Sequence, residues 1–297
     1  MVLPMRGRRL NSGYSFNTDQ RRTQAGTIPA SKHFMERNLG EFGSDVLWTP
    51  AQISTALWLD AADETTITLN GSTVSQWNDK SGNGRHAVQG TAGKQPTRVL
   101  SGLNGKTILR FDGINDGSIM TTTWNLTDSH SIFLVAKKST QTSDAASGIR
   151  PLVASTTSGG RLIAGIGTFR VGLSAPLINS ADFLLDDTRI TPIRNSWLDN
   201  VVRLLNYTYN GTTMNGWLDG STFSTPLTAS FSTFGAINIG GIDDNTARRF
   251  AGDLAETIIV SSVTSTTDRQ LIEGYLAHKW GLQANLPIGH PYKSVAP

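Results

Sequence analysis

The clearest hydrophobic pattern lies between Phe250 and Leu282. Leu254 to Ser261 is a short apolar run rich in β-branched residues, which predicts a buried strand. Beyond it, apolar residues recur at helical spacing and predict one buried helix face. The residues with this spacing are Leu271, Ile272, Tyr275, Leu276 and Trp280.

Local signals at both ends support this helix. The Ser265-Thr266-Thr267-Asp268 segment supplies capping hydroxyl groups and an acidic residue at the positive helix start. Lys279 lies in the last predicted turn, and Gly281 suits a left-handed stop. Gly252-Asp253 has turn chemistry, so we predict a turn, a strand and one C-terminal helix.

The rest of the body consists of short apolar or alternating runs between tight turns. Asn70-Gly71 and Asn210-Gly211 predict hairpins, Asp219-Gly220 predicts a further turn, and residues 177–200 predict a loop with edge structure. Regular strand spacing with tight turns favours a two-sheet antiparallel sandwich. The predicted strands are Leu57–Leu59, Thr66–Leu69, Thr73–Trp77, Thr107–Asp112, Ser131–Lys137, Pro151–Ser155, Arg161–Ile166, Phe169–Leu173, Val201–Tyr209, Met214–Leu218 and Ala236–Ile239.

Composition agrees with an all-β protein. The chain has 297 residues, of which only 16% are charged, and it contains no cysteine. Disulfides and thiolate metal sites are therefore excluded. No run of about 18 apolar residues occurs, so we expect no membrane span, and the MVLPMRGRRL start lacks the apolar segment of a secretory signal.

The charge is concentrated in residues 1–46, which show no sustained hydrophobic period. Within residues 1–40 the cations outnumber Asp19 and Glu36, although the whole chain has a formal net charge of only +3. We expect an extended basic arm that is disordered alone and ordered by another protein subunit, because it cannot bury a core of its own. The alternative is a solvated extension without a partner. Nucleic acid is a weaker candidate partner, because interleaved aromatic residues and a folded scaffold are missing. The cations are Arg6, Arg8, Arg9, Arg21, Arg22, Lys32 and Arg37.

Several motifs together carry a resemblance to a known family. They are LWLDAAD (57–63), VSQWNDKSGNGRHAVQ (74–89), GLNGKTILRFDGIND (102–116), YNGTTMNGWLDG (209–220), INIGG (237–241), FAGDLAE (250–256) and DRQLIEGYLAHKWGL (268–282). The region 48–293 resembles a laminin-G-like, concanavalin-A-like jelly-roll domain. It is similar in particular to a bacterial and phage subgroup with a YLAHKWGL-type helix and a GHPY tail (289–292).

The resemblance implies an all-β fold: a two-sheet antiparallel jelly-roll sandwich over residues 47–297, with one C-terminal helix, preceded by the arm at 1–46. The function that we expect is a structural or attachment component of a phage-like virion, such as a tail, head-fibre or decoration protein. The arm would bind other virion proteins, the chain would form a homo-oligomer, and the sandwich would face outward. The alternative is a carbohydrate-binding module or adhesin that recognises cell-surface glycans. The fold alone does not separate these functions.

Three acidic loops are candidate calcium sites, because calcium prefers oxygen ligands. The alternative for each is an ordinary turn whose side chains bond nearby backbone. On balance we predict no cofactor and no metal site. The three groups are Asp79, Asn83 and His86; Asp112, Asn115 and Asp116; and Asp243, Asp244 and Asn245, which Arg248 and Arg249 follow.

We predict no enzymatic activity. Glycoside hydrolysis needs two facing carboxylates, and the paired-glutamate strand of concanavalin-A-like glucanases is missing from the sequence. Glu256 lies near Asp253, but the resemblance implies a structural role for its strand. No histidine metal motif, nucleophile elbow or phosphate-binding loop occurs.

The position of each tryptophan predicts either a core role or a sugar-binding role. Trp58, Trp77, Trp217 and Trp280 lie inside the fold motifs, so we predict that they belong to the core. Trp124 and Trp197 lie in less regular stretches and are the candidates for stacking on sugar rings.

Overall fold

A computed structural model describes residues 47–114, 124–139, 149–157, 160–167, 180–185, 188–190, 200–222, 227–228, 236–241 and 249–297. They form seventeen strands and one α-helix. The first nine strands are β1 (Leu57–Asp60), β2 (Ile67–Asn70), β3 (Thr73–Trp77), β4 (Ala87–Val88), β5 (Thr97–Leu103), β6 (Lys106–Asp112), β7 (His130–Lys138), β8 (Ile149–Thr157) and β9 (Gly160–Gly167). The others are β10 (Ser180–Leu185), β11 (Thr188–Ile190), β12 (Val202–Tyr209), β13 (Thr213–Leu218), β14 (Ser221–Thr222), β15 (Leu227–Thr228), β16 (Ile237–Ile239) and β17 (Ala251–Val260), followed by helix α1 (Thr266–Trp280).

The strands form two antiparallel sheets. The large sheet has twelve strands, nine of them in the order β14-β13-β12-β7-β17-β6-β5-β3-β2, and β1, β15 and β4 pair with β17, β13 and β3. The small sheet has the order β11-β10-β9-β8-β16. The expected all-β, two-sheet antiparallel sandwich is therefore confirmed.

Strand β17 lies at the centre of the large sheet. Along one edge it pairs with β7 over most of its length, and along the other it pairs first with β6 and then with β1. The register with β7 shifts between Leu254 and Glu256, which marks a β-bulge at Ala255. Leu254 packs between the two sheets, whereas Glu256 contacts the helix. The bulge thus directs a carboxylate to the helix side of the sheet.

Both faces of the large sheet are buried. One face packs against the small sheet, in a cluster that contains Leu134, Leu205 and Leu152. The other face packs against α1, in a cluster that contains Phe133, Ile258 and Trp280. A strand that is covered on both faces needs apolar residues at successive positions, which explains the continuous apolar run of β7.

Helix α1 has the ends that the sequence predicts. The Ser265 hydroxyl accepts a hydrogen bond from the Asp268 backbone N–H at 3.0 Å. Gly281 adopts φ = 76° after the last turn, and its N–H bonds the carbonyl of Ala277. Both signals are local, and the structure confirms both.

The predicted turns differ in outcome. Gly71, Gly211, Asp219 and Gly220 all have positive φ, which confirms the turns at those positions. The prediction of a turn at Gly252-Asp253 is wrong, because both residues lie inside β17. Gly252 is needed there for another reason: at φ = 149°, an added Cβ would lie 2.2 Å from the Lys137 carbonyl oxygen of β7.

Three further predictions concern residues 177–200, the strand Phe169–Leu173 and the N-terminal arm. The predicted loop at 177–200 contains two strands, β10 and β11, and β11 is an edge strand of the small sheet. The predicted strand Phe169–Leu173 and the arm at 1–46 lie outside the described residues. The division of the chain at residues 46 and 47 therefore stays a prediction.

Candidate functional site

A fully buried carboxylate lies between the large sheet and α1. Glu256 accepts hydrogen bonds from the indole N–H groups of Trp58 and Trp280, each at 2.7 Å. The hydroxyl of Tyr275 donates to the same carboxylate at 3.0 Å. Neutral donors thus surround Glu256, as a buried charge requires.

Lys279 completes this arrangement from the last turn of α1. Its Nζ lies 2.7 Å from Glu256 Oε2 and 2.6 Å from Asp60 Oδ1. The Tyr275 oxygen accepts a third bond from Lys279 at 3.0 Å. Lys80 approaches from the opposite side, with Nζ 2.9 Å from Asp60 Oδ2 and 2.9 Å from Asp63 Oδ2. We call Asp60, Glu256 and Lys279 the buried triad.

Burial changes the pKa values of Glu256 and Tyr275. It raises the pKa of Glu256; the charge of Lys279 opposes this rise, and the charge of Asp60 adds to it. Burial also raises the pKa of Tyr275, and the neighbouring Glu256 adds to that increase. At the periphery, the hydrogen bond from Lys80 lowers the pKa of Asp63. Burial lowers the pKa of Lys80, but its bonds to Asp63 and Asp60 outweigh this effect and leave the pKa raised.

An aromatic groove opens beside the triad. Its volume is about 350 Å³. The rings of Trp48 and Tyr275 meet edge to face, with centroids 6.0 Å apart. In the part of the chain that the structure describes, the ammonium group of Lys106 has no hydrogen-bond or ion-pair partner, so this cation borders the apolar surface of the groove. The lining residues are Leu47, Trp48, Thr49, Lys106, Tyr275, His278, Lys279, Ala296 and Pro297.

The first predicted acidic loop is an internally bonded turn. Asp79 accepts backbone N–H bonds from Trp58, Ser81 and Arg85 at 2.9–3.0 Å. The Asn83 amide donates to the carbonyls of Thr55 and Ala56. The third candidate, His86, accepts the Asp79 backbone N–H through Nδ1 at 3.1 Å. These side chains hold the loop against the start of β1. Such bonds to nearby backbone are those of an ordinary turn, the alternative to a calcium site.

The other acidic loops are described only in part. Asp112 accepts the N–H of Ile114 at 2.7 Å, and Arg249 donates to the Ile114 carbonyl. Across the residues with described side chains, no group of three or more histidine or acidic residues has a geometry suited to a metal ion. The other members of these loops, Asn115, Asp116, Asp243, Asp244, Asn245 and Arg248, lie outside the described residues.

The tryptophan predictions are partly confirmed. Trp58, Trp77 and Trp280 are buried core residues. Trp217 is only half buried, with the guanidinium of Arg269 over its ring at 4.6 Å. Trp124 is half buried against the inter-sheet core, and Arg85 covers its ring at 4.0 Å. Trp197 lies outside the described residues.

Asp253 and Glu256 do not form a facing carboxylate pair. Asp253 is bound by Arg110 at 2.6 Å and by Lys137 at 2.5 Å, on the neighbouring strands β6 and β7. The carboxylate that does share a partner with Glu256 is Asp60, through Lys279. Among the described helices, none is long and apolar enough to cross a membrane.

Sequence reasoning missed the triad and Trp48. Asp60, Glu256 and Lys279 come from three separate motifs, LWLDAAD, FAGDLAE and YLAHKWGL. The available signal was an ionisable residue inside each apolar motif, because buried charges normally need partners. Trp48 lies at the junction before the first strand and gives no periodic signal.

Comparisons with known proteins agree with the fold. No protein-family model matches the chain, and no curated protein matches it. Among solved structures, the binding domain of Paraclostridial Mosquitocidal Protein 1 has a TM-score of 0.51 at 13% identity, over 74% of this chain and 52% of that chain. This likeness supports the fold alone.

Two further structures are less similar. Domain 4 of AbnA, an arabinanase from Geobacillus stearothermophilus in complex with arabinotriose, has a TM-score of 0.46 at 8% identity, over 72% of this chain and 95% of that chain. Trypanosoma rangeli sialidase in complex with sialic acid has 0.47 at 14% identity, over 76% of this chain and 33% of that chain. The strands and helix of the chain themselves define its class, an all-β sandwich with a helix packed on its large sheet.

Proposed function

We propose that this chain is a carbohydrate-binding module and that the groove beside the buried triad holds the glycan. The observation that carries the proposal is the combination of aromatic surface and polar edge in the groove. Sugar rings present apolar C–H faces together with hydroxyl groups, so such sites combine aromatic side chains with a few polar groups. Trp48 and Tyr275 supply the aromatic surface, and Lys106 and His278 lie at the edge.

The triad supports binding by making the groove rigid. The Tyr275 hydroxyl is held by Glu256, and Lys279 is held by Asp60 and Glu256. Side chains that are fixed before binding lose little conformational entropy when a ligand arrives. The volume of about 350 Å³ lies at the small end of the range of ligand pockets, roughly 300–1,000 Å³, which suits the end of a glycan.

The same contacts favour binding over hydrolysis. Asp60 and Glu256 both hold Lys279, and Glu256 is completely buried. A glycosidase pair must reach the glycosidic bond from both sides, and these carboxylates face the ammonium group instead.

The experiment is a glycan-array screen of the full chain, followed by calorimetry on the best ligand. We expect Trp48→Ala to weaken binding about tenfold or more, equivalent to about 1.4 kcal/mol. Ile288→Ala is the matched control, because Ile288 is 95% exposed and does not line the groove. The proposal is wrong if the folded chain binds no glycan, or if Trp48→Ala and Ile288→Ala bind equally well.

Virion attachment remains a proposal of a different kind. It concerns residues 1–46 and the assembly of the chain with other proteins. A deletion of residues 1–46 tests it directly: loss of incorporation into particles, with glycan binding retained, would place the two roles in different parts of the chain.

A further inference from the structure

We propose that Lys279 and Asp60 of the buried triad become joined by an intramolecular amide bond, with Glu256 as the residue that transfers protons. The three side chains come from α1, β1 and β17 and converge between the sheet and the helix. Lys279 Nζ lies 2.6 Å from an Asp60 oxygen and 2.7 Å from a Glu256 oxygen. The proposed bond does not depend on the glycan site.

Proximity is the first argument. The nitrogen that must attack is already in contact with the carboxyl group that must be attacked. Groups held at near-attack distances of about 3–3.5 Å react as if their local concentration were extremely high. Asp60 is anchored, since it also accepts the N–H of Ala62 at 3.1 Å and a bond from Lys80 at 2.9 Å. Lys279 is anchored by its contacts with Glu256 and the Tyr275 oxygen.

The dry surroundings are the second argument. Glu256 is 0% exposed and Asp60 is 3% exposed, while the side chain of Lys279 is 14% exposed. The rings of Trp58, Tyr275 and Trp280 enclose the polar groups. An enclosed site resists the return of water that would hydrolyse the product.

The chemistry balances without any further reactant. Glu256 accepts a proton from the Lys279 ammonium group, and the freed lone pair attacks the Asp60 carboxyl carbon. The N–H of Ala62 and the ammonium group of Lys80 stabilise the negative charge that develops on the Asp60 oxygens. Glu256 then delivers this proton to the departing oxygen and relays a second proton from the attacking nitrogen to the same oxygen. Of the three ammonium protons, the amide keeps one, and two leave with one Asp60 oxygen as water.

Lys80 is the weaker candidate for the same bond. It also contacts Asp60, but its side chain is 23% exposed, and it shares its ammonium group with Asp63, which is 31% exposed. Among the described ion pairs, the carboxylate that Lys80 contacts besides Asp60 is the partly exposed Asp63, so Lys80 has no buried proton acceptor that corresponds to Glu256. The geometry therefore assigns Lys279 as the nucleophile and Lys80 as a stabilising cation.

The bond would join the first strand of the body to its last helix. Strand β1 is an early element of the large sheet, and α1 covers that sheet from the other end of the chain. A covalent link between them turns nearly all of the body into a closed ring. Such a ring cannot be pulled into an extended chain, and its unfolded state has less conformational freedom.

The test is the intact mass of the full chain, measured under denaturing conditions. We expect the wild-type protein to be lighter than its sequence by the mass of one water, and its digest to contain a branched peptide that joins Lys279 to Asp60. Lys279→Arg keeps the charge and should show the full mass of its sequence. Glu256→Gln should also show the full mass, because it keeps the shape but cannot accept the proton.

A second source of water loss is distinguishable. Asp112-Gly113 and Asp219-Gly220 can dehydrate to cyclic imides, but that loss would persist in Lys279→Arg and would give no branched peptide. A wild-type chain with its full mass and no branched peptide overturns the proposal. Water loss that persists in Lys279→Arg overturns it as well. The wild-type result decides the question even if a variant does not fold.

Discussion

The two faces of the large sheet are equally buried but chemically different. On the face toward the small sheet, β7 contributes Ile132, Leu134 and Ala136 to an almost wholly apolar cluster. On the face toward α1, the neighbouring strands contribute Asp60 and Glu256, which meet Lys279. Apolar packing stabilises without direction, whereas paired charges require one specific alignment of strand and helix. The first face holds the sheets together, and the second positions α1 and the groove.

The two faces also differ in the surroundings of their buried titratable groups. Glu256 has four donors and lies in a network of charges. His130, on the inter-sheet side, contacts the Thr127 carbonyl and the Tyr207 hydroxyl. Burial lowers the pKa of His130 to about 4, although its bond to Thr127 opposes this effect. One face therefore pairs its charges, and the other keeps its ionisable group neutral.

The largest expected effect comes from breaking the paired charges. Glu256→Ala leaves two indole N–H groups unbonded and removes a partner of Lys279, so we expect a loss of about 3–5 kcal/mol in the free energy of unfolding. Leu205→Ala on the other face should cost about 2–5 kcal/mol. Single substitutions thus do not separate the faces, but a double-mutant cycle measured by chemical denaturation does.

In that cycle, Glu256→Ala and Lys279→Ala should be strongly non-additive, with a coupling of about 1–3 kcal/mol. Leu205→Ala and Lys279→Ala act on opposite faces and should add to within about 0.5 kcal/mol. Equal coupling in both pairs would show that the two faces do not differ in the way that we describe.

The second prediction concerns pH and the inter-sheet face. The unfolded chain binds a proton at His130 below its ordinary pKa of 6.5, whereas the folded chain does so only below about 4. Stability should therefore be present above about pH 6.5 and fall as the pH drops toward 4, by about 3 kcal/mol at most. His130→Gln cannot titrate, so its stability should change less across this range. Other groups cancel in the difference, and identical pH profiles for the two proteins would contradict the prediction.

The sequence predicts these two faces unequally. The inter-sheet face follows from alternation and turn chemistry, and the hairpins at Asn70-Gly71 and Asn210-Gly211 form as expected. The buried triad depends on the pairing of β1 with β17 and on the packing of α1, which join residues that are far apart in the chain. Local patterns do not encode such pairings, so three ionisable residues in three apolar motifs gave no sign of their common site.

Gly252 shows the same limit at a smaller scale. Its neighbours suggest a turn, since glycine followed by aspartate is common there. In the structure, the glycine lets β17 approach β7, and Asp253 pairs with Arg110 and Lys137 on the adjacent strands. In the sequence alone, a glycine that allows two strands to approach closely cannot be distinguished from a glycine in a turn. The distinction requires knowledge of the neighbouring strand.

The smallest expected effect tests how far the helix depends on local signals rather than on the triad. Ser265→Ala removes the hydroxyl that accepts the Asp268 N–H, and the helix should lose about 1 kcal/mol, measured by thermal denaturation. Thr267→Ala is the control, because its exposed side chain makes no hydrogen bond in the described part of the chain, and its effect should stay within about 0.5 kcal/mol. Glycan binding should be unchanged in both variants, because the groove-lining residues of α1 lie in its last two turns, where Glu256 holds Tyr275 and Asp60 holds Lys279. A loss of glycan binding in Ser265→Ala would instead show that the capped start of α1 also positions the groove. The contacts of Asp60 and Glu256 at the other end of the helix would then not be sufficient to hold it.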